Sequence, residues 1–183
     1  MPELARRCTV ADLLAFPEDG NRYELIRGEL FVSPTARPRH QEVIRRLVVR
    51  LSLFLDQQAP QWRLVPSPAD ISWDDETLVQ PDLFVVPAAQ ASNDWSTYQD
   101  LVLAVEVISP SSRRADRVEK RRLYQERGIG TYWIVDHESE IVEVWRPGDD
   151  RPEVVTDQLR WSVGLETQDL VIRLAELFGN LPE

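Results

Sequence analysis

Cysteine and lysine are almost missing from these 183 residues: there is one cysteine, Cys8, and one lysine, Lys120. A single cysteine excludes an intramolecular disulfide framework and any cysteine-rich zinc site. Long apolar runs are also missing, and none approaches the roughly 20 residues of a membrane-spanning helix. The opening "MPELARRCTVADLLAF" lacks the apolar stretch of a signal peptide, so a cytoplasmic location is expected. Positive charge is scarce: 21 basic against 31 acidic residues leave a formal charge of −10. A sequence-independent nucleic-acid binder normally presents a basic surface. Contact with phosphates would therefore need local arginine clusters or metal ions to overcome the global field. Every basic residue except Lys120 is an arginine, so the one retained lysine invites a reason.

What is present is an ordinary globular composition, 43% hydrophobic and 28% charged. Without repeat, low-complexity tract or linker, residues 1–183 read as a single domain. "TVADLLAFPED" predicts a short helix with Thr9 as N-cap, ended by Pro17. "RYELIRGELFVS" alternates around Arg27-Gly28 and predicts a hairpin. From Pro38, Val43, Leu47, Leu51 and Leu55 recur at helical spacing. "WRLVPSPADISW", "LVQPDLFVVP" and "LVLAVEVIS" read as strands, the last two separated by the polar insert "AAQASNDWSTYQD". "SRRADRVEKRRLYQERG" predicts a second helix stopped by Gly128. "TYWIVD" and "EIVEVWRP" are strands around "HESE", "PEVVTD" is a further strand, and "DLVIRLAELFG" a final strand or helix. Helices before and between strands imply an α/β fold with a sheet of mixed direction.

Two carboxylates sit where the pattern resists them. Glu106 lies near the end of an almost unbroken apolar run, Leu101 to Ile108, and Asp82 interrupts another directly after Pro81. A buried carboxylate costs several kcal/mol unless a cation or donors receive it. Either acid alone is adequately explained by hydrogen bonds from a turn or a helix N-terminus. The second helix changes the balance. At about 100° per residue, Asp116, Lys120, Leu123, Tyr124 and Arg127 share one arc, so Lys120 should point inward with Leu123 and Tyr124. A buried salt bridge is the plain reading of that arrangement. The sharper one is a site: two carboxylates suit Mg²⁺ or Mn²⁺, and a lysine would orient or deprotonate a water, or neutralise charge on a phosphate. That combination fits phosphodiester hydrolysis.

The segments "YELIRGEL", "RHQEVI", "QPDLFVV", "AVEVISPSS", "DRVEKRRLYQERGIGTYWIVD" and "VEVW" together resemble the Uma-two family of putative restriction endonucleases, over about Val10 to Trp145. The resemblance implies the PD-(D/E)xK nuclease superfamily and its restriction-endonuclease-like fold, a mixed central β-sheet flanked by helices. It implies that Asp82 of Pro81-Asp82 and Glu106 are the paired metal-binding acids. The usual lysine position, two residues after the second acid, is Ile108 here. The resemblance therefore implies a lysine moved to the following helix, which is Lys120. It adds His40 and Glu42 at the start of the long helix as accessory candidates, beside Tyr124, with Glu24 and Asp70 as weaker ones on hairpins.

The expected activity is thus a Mg²⁺-dependent endonuclease acting on DNA, through Asp82, Glu106 and Lys120. Cutting both strands of a duplex would suit a homodimer. The rival is a non-catalytic interaction module on the same fold, accessory to a defence or mobile-element system, and the acidic charge favours it. Tyr132-Trp133 is read as core, Arg45, Arg46 and Arg50 as a solvated helix face, Asp74-Asp75-Glu76 as a turn, and His137 as without a role.

Overall fold

The computed structural model describes residues 7–17, 19–90, 98–109, 112–164 and 168–182. Part of the polar insert and Pro110-Ser111 of the Ser-Pro break lie outside the described residues. The first helix, α1 (Val10–Leu14), begins as expected at Thr9. Its hydroxyl accepts from the Asp12 N–H, and the Asp12 carboxylate accepts from the Thr9 N–H, which satisfies two otherwise orphaned donors. Strands β1 (Arg22–Ile26) and β2 (Glu29–Ser33) form the hairpin. Its two-residue turn, Arg27-Gly28, has φ of 51° and 77°. Glycine suits the second position, because a Cβ there would also meet the Arg7 side chain at 2.9 Å.

The long helix is α2 (Pro38–Gln58), opened by proline at its first position, where the missing N–H costs nothing. It buries His40, Val43, Leu47, Leu51, Phe54 and Leu55 on one face. Two stretches, each read as one strand, divide in two. "WRLVPSPADISW" becomes β3 (Trp62–Pro66) and β4 (Ile71–Asp74). "LVQPDLFVVP" becomes β5 (Thr77–Val79) and β6 (Leu83–Pro87). In each case the two halves join different sheets. Proline explains the breaks, since Pro68 and Pro81 offer no N–H to a ladder. Asp82 therefore sits at a junction between sheets, not inside a strand.

Six strands form the central sheet in the order β10-β9-β8-β7-β6-β3, with β7 (Leu103–Val107), β8 (Tyr132–Asp136), β9 (Ile141–Trp145) and β10 (Glu153–Val155). The β7–β8 pair is parallel and the other pairs are antiparallel, so the sheet is mixed. The parallel pair needs a crossover. The predicted second helix supplies it, as a π-helical segment, Ala115–Lys120, running into α3 (Arg121–Glu126). A second sheet, β2-β1-β5-β4, is antiparallel. The chain closes with β11 (Gln158–Trp161) paired to β12 (Leu170–Arg173), and then α4 (Leu174–Phe178). "DLVIRLAELFG" is thus a strand followed by a helix, and β11 had no signal in the expected pattern.

Alternation along the central strands sorts the core into two. Leu83, Val85, Leu103, Val105 and Val107 face α2, α4, β11 and β12, where Trp133 also meets Trp161 edge-on at 6.0 Å. Phe84, Val86, Ala104, Ile108 and Ile134 face α3 and the second sheet, through Leu123, Tyr124, Ile26, Ile71 and Val79. Helices thus flank a mixed central sheet. Glu106 shares the parity of Ala104 and Ile108, so it enters the layer between the central sheet, the crossover helix and the second sheet. Among the described residues, no helix is long and apolar enough to cross a membrane.

Candidate active site

Asp82 and Glu106 come together through strand register. Leu83 stands opposite Val105 in the antiparallel β6–β7 pair, and one step further Asp82 falls opposite Glu106 on the same face. The Val107 N–H, just beyond, donates to Asp82 Oδ2 at 2.8 Å. Arg22 Nη1 donates to Asp82 Oδ1 at 2.9 Å, and His40 Nε2 lies 3.2 Å from Oδ2. Burial works against ionisation of Asp82, but the His40 contact, Arg22 and the Val107 N–H outweigh it and hold its pKa down to about 2.

Lys120 is fully buried, and its ammonium faces three acids. Nζ lies 2.8 Å from Glu106 Oε1, 2.8 Å from Glu24 Oε1 and 3.4 Å from Asp116 Oδ1. The π-helical winding brings Asp116 and Lys120 inward together, and Tyr132 ties the segment to β8 by donating its hydroxyl to the Asp116 carbonyl at 3.0 Å. Tyr124 completes the shell, donating to Glu106 Oε1 at 3.3 Å and lying edge-on to Tyr132 at 4.8 Å. Burial opposes the charge on Lys120, but Glu106, Glu24 and Asp116 raise its pKa far above the ordinary lysine value. Burial also raises the pKa of Glu106 well above the ordinary range. Lys120 counteracts this only in part, because it is shared with Glu24 and Asp116, and Asp82 adds further repulsion.

Four carboxylates, Glu24, Asp82, Glu106 and Asp116, are thus buried against two permanent cations, Arg22 and Lys120, a formal net of −2 with all four ionised and before any charge on His40. Burial raises the pKa of Asp116 as well as that of Glu106. Glu106 Oε2 is buried and has no hydrogen-bond partner among the described residues. A divalent cation answers both features, and its preference for hard oxygen donors matches this set. Among the described residues no three His, Cys, Asp or Glu side chains form a ready-made metal cage. An ion of the Mg²⁺ kind would need only one or two carboxylates here and would fill its other positions with water and phosphate.

The excess charge has a direct consequence. Glu106→Gln removes one buried carboxylate and leaves Lys120 its contacts with Glu24 and Asp116, so the variant should melt higher than wild type in EDTA. The sign follows from linkage. An acid whose folded pKa is raised binds its proton more tightly when folded, so ionised Glu106 lowers stability increasingly as pH rises above about 4.5. Thermal denaturation at pH 5 and pH 8 checks it: the advantage of Gln should be small at pH 5 and larger at pH 8. A lower melting temperature at both values would mean that Glu106 stabilises the metal-free fold.

Of the residues expected at the site, the structure brings together Asp82, Glu106, Lys120, His40 and Tyr124. Glu42 lies apart: Arg45 and Arg46 chelate its carboxylate on the exposed side of α2 and hold its pKa at about 2. Its position, two residues past His40, turns it away from the inward face of the helix. Asp70 accepts from the Gln80 side chain at 2.9 Å and takes no part in the cluster. Arg127 is exposed, paired with Asp74 and stacked on Trp73 at 5.3 Å, because it follows the last residue of α3 and its side chain runs past the helix end onto β4. Glu24, read as an exposed hairpin acid, is buried beside Lys120, and its Oε1 also accepts from the Gln80 N–H at 2.7 Å. Arg22 and Asp116 were not recognised as site residues. In "RYELI", Arg22, Glu24 and the core residue Ile26 share one face by strand alternation. That signal was available.

Comparison with known proteins follows the same lines. The family model described as Uma2, putative restriction endonuclease, matches residues 10–175. Among solved structures, the crystal structure of a putative nuclease belonging to DUF820 from Anabaena variabilis is similar with a TM-score of 0.75. It is 17% identical in sequence, and the match covers 93% of this chain and 97% of that one. No curated protein matches.

Proposed function

Because the chain belongs to the Uma2 family of putative restriction endonucleases, we propose that it is a metal-dependent endonuclease that hydrolyses phosphodiester bonds in DNA. The observation that carries this reading is the buried carboxylate cluster, with a formal excess of two negative charges and with Glu106 Oε2 and Asp116 Oδ1 lacking hydrogen-bond donors among the described residues. Asp82 and Glu106 are the residues that would hold Mg²⁺ or Mn²⁺. When bound, such an ion supplies positive charge to the phosphate and acidifies a water for attack.

The protein's own groups supply the positioning. Arg22, His40 and the Val107 N–H keep Asp82 ionised and fixed, so its charge is present without reorganisation. Lys120 and Tyr124 occupy Glu106 Oε1 and leave Oε2 as the ligating oxygen. Three carboxylates within 3.4 Å keep Lys120 protonated, which makes it a fixed ammonium and not a general base. Its part is to balance charge and to hold Glu106. Arg22 is the cluster's most exposed cation, its side chain 21% accessible, so a phosphate would approach past it. Cleavage of both strands of a duplex would bring two copies of the chain together as a homodimer.

The test is a cleavage assay on duplex DNA, single-stranded DNA and RNA, with Mg²⁺ or Mn²⁺ and with EDTA, beside Asp82→Ala. The expected result is divalent-dependent cutting of DNA by wild type alone. No cutting of any substrate by a folded, metal-supplied protein would favour the non-catalytic module.

A further inference from the structure

Where α2 begins and β8 ends, a second set of polar groups gathers that the carboxylate centre does not use. His40 touches Asp82 through Nε2, while its other ring nitrogen, Nδ1, is buried without a hydrogen-bond partner among the described residues. Arg39 Nε, one residue earlier on α2, is buried and unpartnered as well, as are His137 Nδ1, just past the end of β8, and Arg113 Nε. His40 and His137 are only 7% and 9% exposed. The groups are neighbours: His40 meets Asp82, which accepts from the Val107 N–H, Val107 stands opposite Val135 in the β7–β8 pair two residues before His137, and Arg113 pairs with the adjacent Glu138. The start of α2 has no side-chain cap and no acidic residue in its first turn. A 21-residue helix therefore presents the positive end of its dipole here without an anion.

Buried polar groups without partners are uncommon in folded proteins, and each costs on the order of 1–3 kcal/mol. Arg39 Nε and Arg113 Nε can only donate, and a ring nitrogen donates in the tautomer or ion that carries its proton, so together these groups ask for one acceptor with several oxygens. The nearby acids of the chain are already engaged. Asp136 accepts from the Glu138 and Ser139 N–H groups and from Arg117, and Glu138 takes Arg113. A tetrahedral phosphate has the oxygens, the charge and the affinity for a helix N-terminus that this place offers.

We propose that Arg39, His40, Arg113 and His137, with the uncapped start of α2, form a phosphate seat beside the carboxylate centre, and that it takes a backbone phosphate of the nucleic acid next to the scissile one. The identity of the ligand as a nucleic-acid backbone rests on the nuclease reading; the anion seat itself does not. His40 joins the two, with one nitrogen on Asp82 and the other left for the seat. Local arginines of this kind also give an acidic chain a way to hold DNA.

The experiment measures binding of the full chain to a short DNA duplex in EDTA across a range of salt, with inorganic phosphate as competitor, for wild type, Arg39→Gln and Arg113→Gln. Arg113 is 41% exposed at its side chain, so its variant leaves the fold intact, and Mn²⁺ affinity serves as a check on both. Each variant should bind the duplex about tenfold more weakly. Each should also reduce the slope of log K against log salt by about 1, a change that general loosening would not produce. Inorganic phosphate should compete in wild type and less in the variants. Wild-type affinity and slope in both variants would overturn the seat. Binding of inorganic phosphate without binding of duplex would overturn its assignment to a nucleic-acid backbone. If Asp82→Asn still cleaves while Arg39→Gln binds weakly, the catalytic centre is misassigned and the seat stands. If Asp82→Asn is inactive and both arginine variants bind like wild type, the centre stands and the seat falls.

Discussion

Lys120→Met should lose about 3–5 kcal/mol of stability at neutral pH, because it removes the shared partner of buried Glu24, Glu106 and Asp116 and leaves their charges uncompensated. Methionine fills most of the space of the lysine stem, so the loss reports charge more than packing. The pH dependence separates the two. Without the ammonium, the folded-state pKa values of Glu106 and Asp116, already raised by burial, rise further, and each of the two then binds its proton more tightly in the folded than in the unfolded state. Stability falls as pH climbs from about 4.5 through those raised values, so the deficit should be smallest near pH 5 and largest above neutrality. Urea denaturation at pH 5 and pH 7.5 measures it, and an equal deficit at both would mean that the acids do not repel one another. Lys120→Arg keeps the charge but forces a larger planar group into a sealed space, at a cost of about 1–3 kcal/mol. If that variant cleaves at near wild-type rate, the lysine acts by charge alone.

Asp82→Asn should abolish both cleavage and the stabilisation by divalent ions. In wild type, an ion that binds only the folded state adds about 2.7 kcal/mol at a hundred times its dissociation constant. For a domain of this size that corresponds to a rise of roughly 5–10 °C in melting temperature. Asparagine keeps the size of the side chain and an acceptor for the Val107 N–H, but it removes the charge that Arg22 and the ion both need. The affinity loss should exceed the roughly 10–100-fold seen for residues that only support a ligand. Differential scanning fluorimetry with Mg²⁺ and Mn²⁺ reads this directly, and equal shifts in both proteins would put the ion elsewhere. An acid limb should disappear as well. Asp82, with a pKa held at about 2, contributes stability that is present above its ordinary value near 3.8 and is lost as pH falls through 2. The asparagine variant should lack that loss.

Local pattern carried much of this protein. Periodicity located α2 and the crossover helix, alternation and glycine located the hairpin at Arg27-Gly28, and two acids in apolar surroundings marked the positions that now face one another. These are properties of a few consecutive residues, and solvent sorting of side chains at periods of about 3.6 and 2 makes them visible in one dimension. The single lysine was conspicuous for a compositional reason and inward-facing for a helical one. Other features depended on partners distant in sequence. Pro68 and Pro81 send the two halves of each proline-broken segment to different sheets, and that sheet change puts β1 next to the crossover helix. Only then does Glu24, nearly a hundred residues earlier, reach Lys120. Asp116 came inward with Lys120 as the helical arc has it, but Arg127, past the last residue of α3, stayed outside against Trp73 and Asp74. Glu42, two residues after His40, fell to the solvent side, where Arg45 and Arg46 hold it. The sequence alone determined where most helices and strands lie, though not β11 or the breaks at Pro68 and Pro81, and which side chains were too polar for their surroundings. The tertiary structure decided how many carboxylates share one ammonium, because that depends on which elements are adjacent in space, and with it the excess negative charge that suits this centre to a divalent ion.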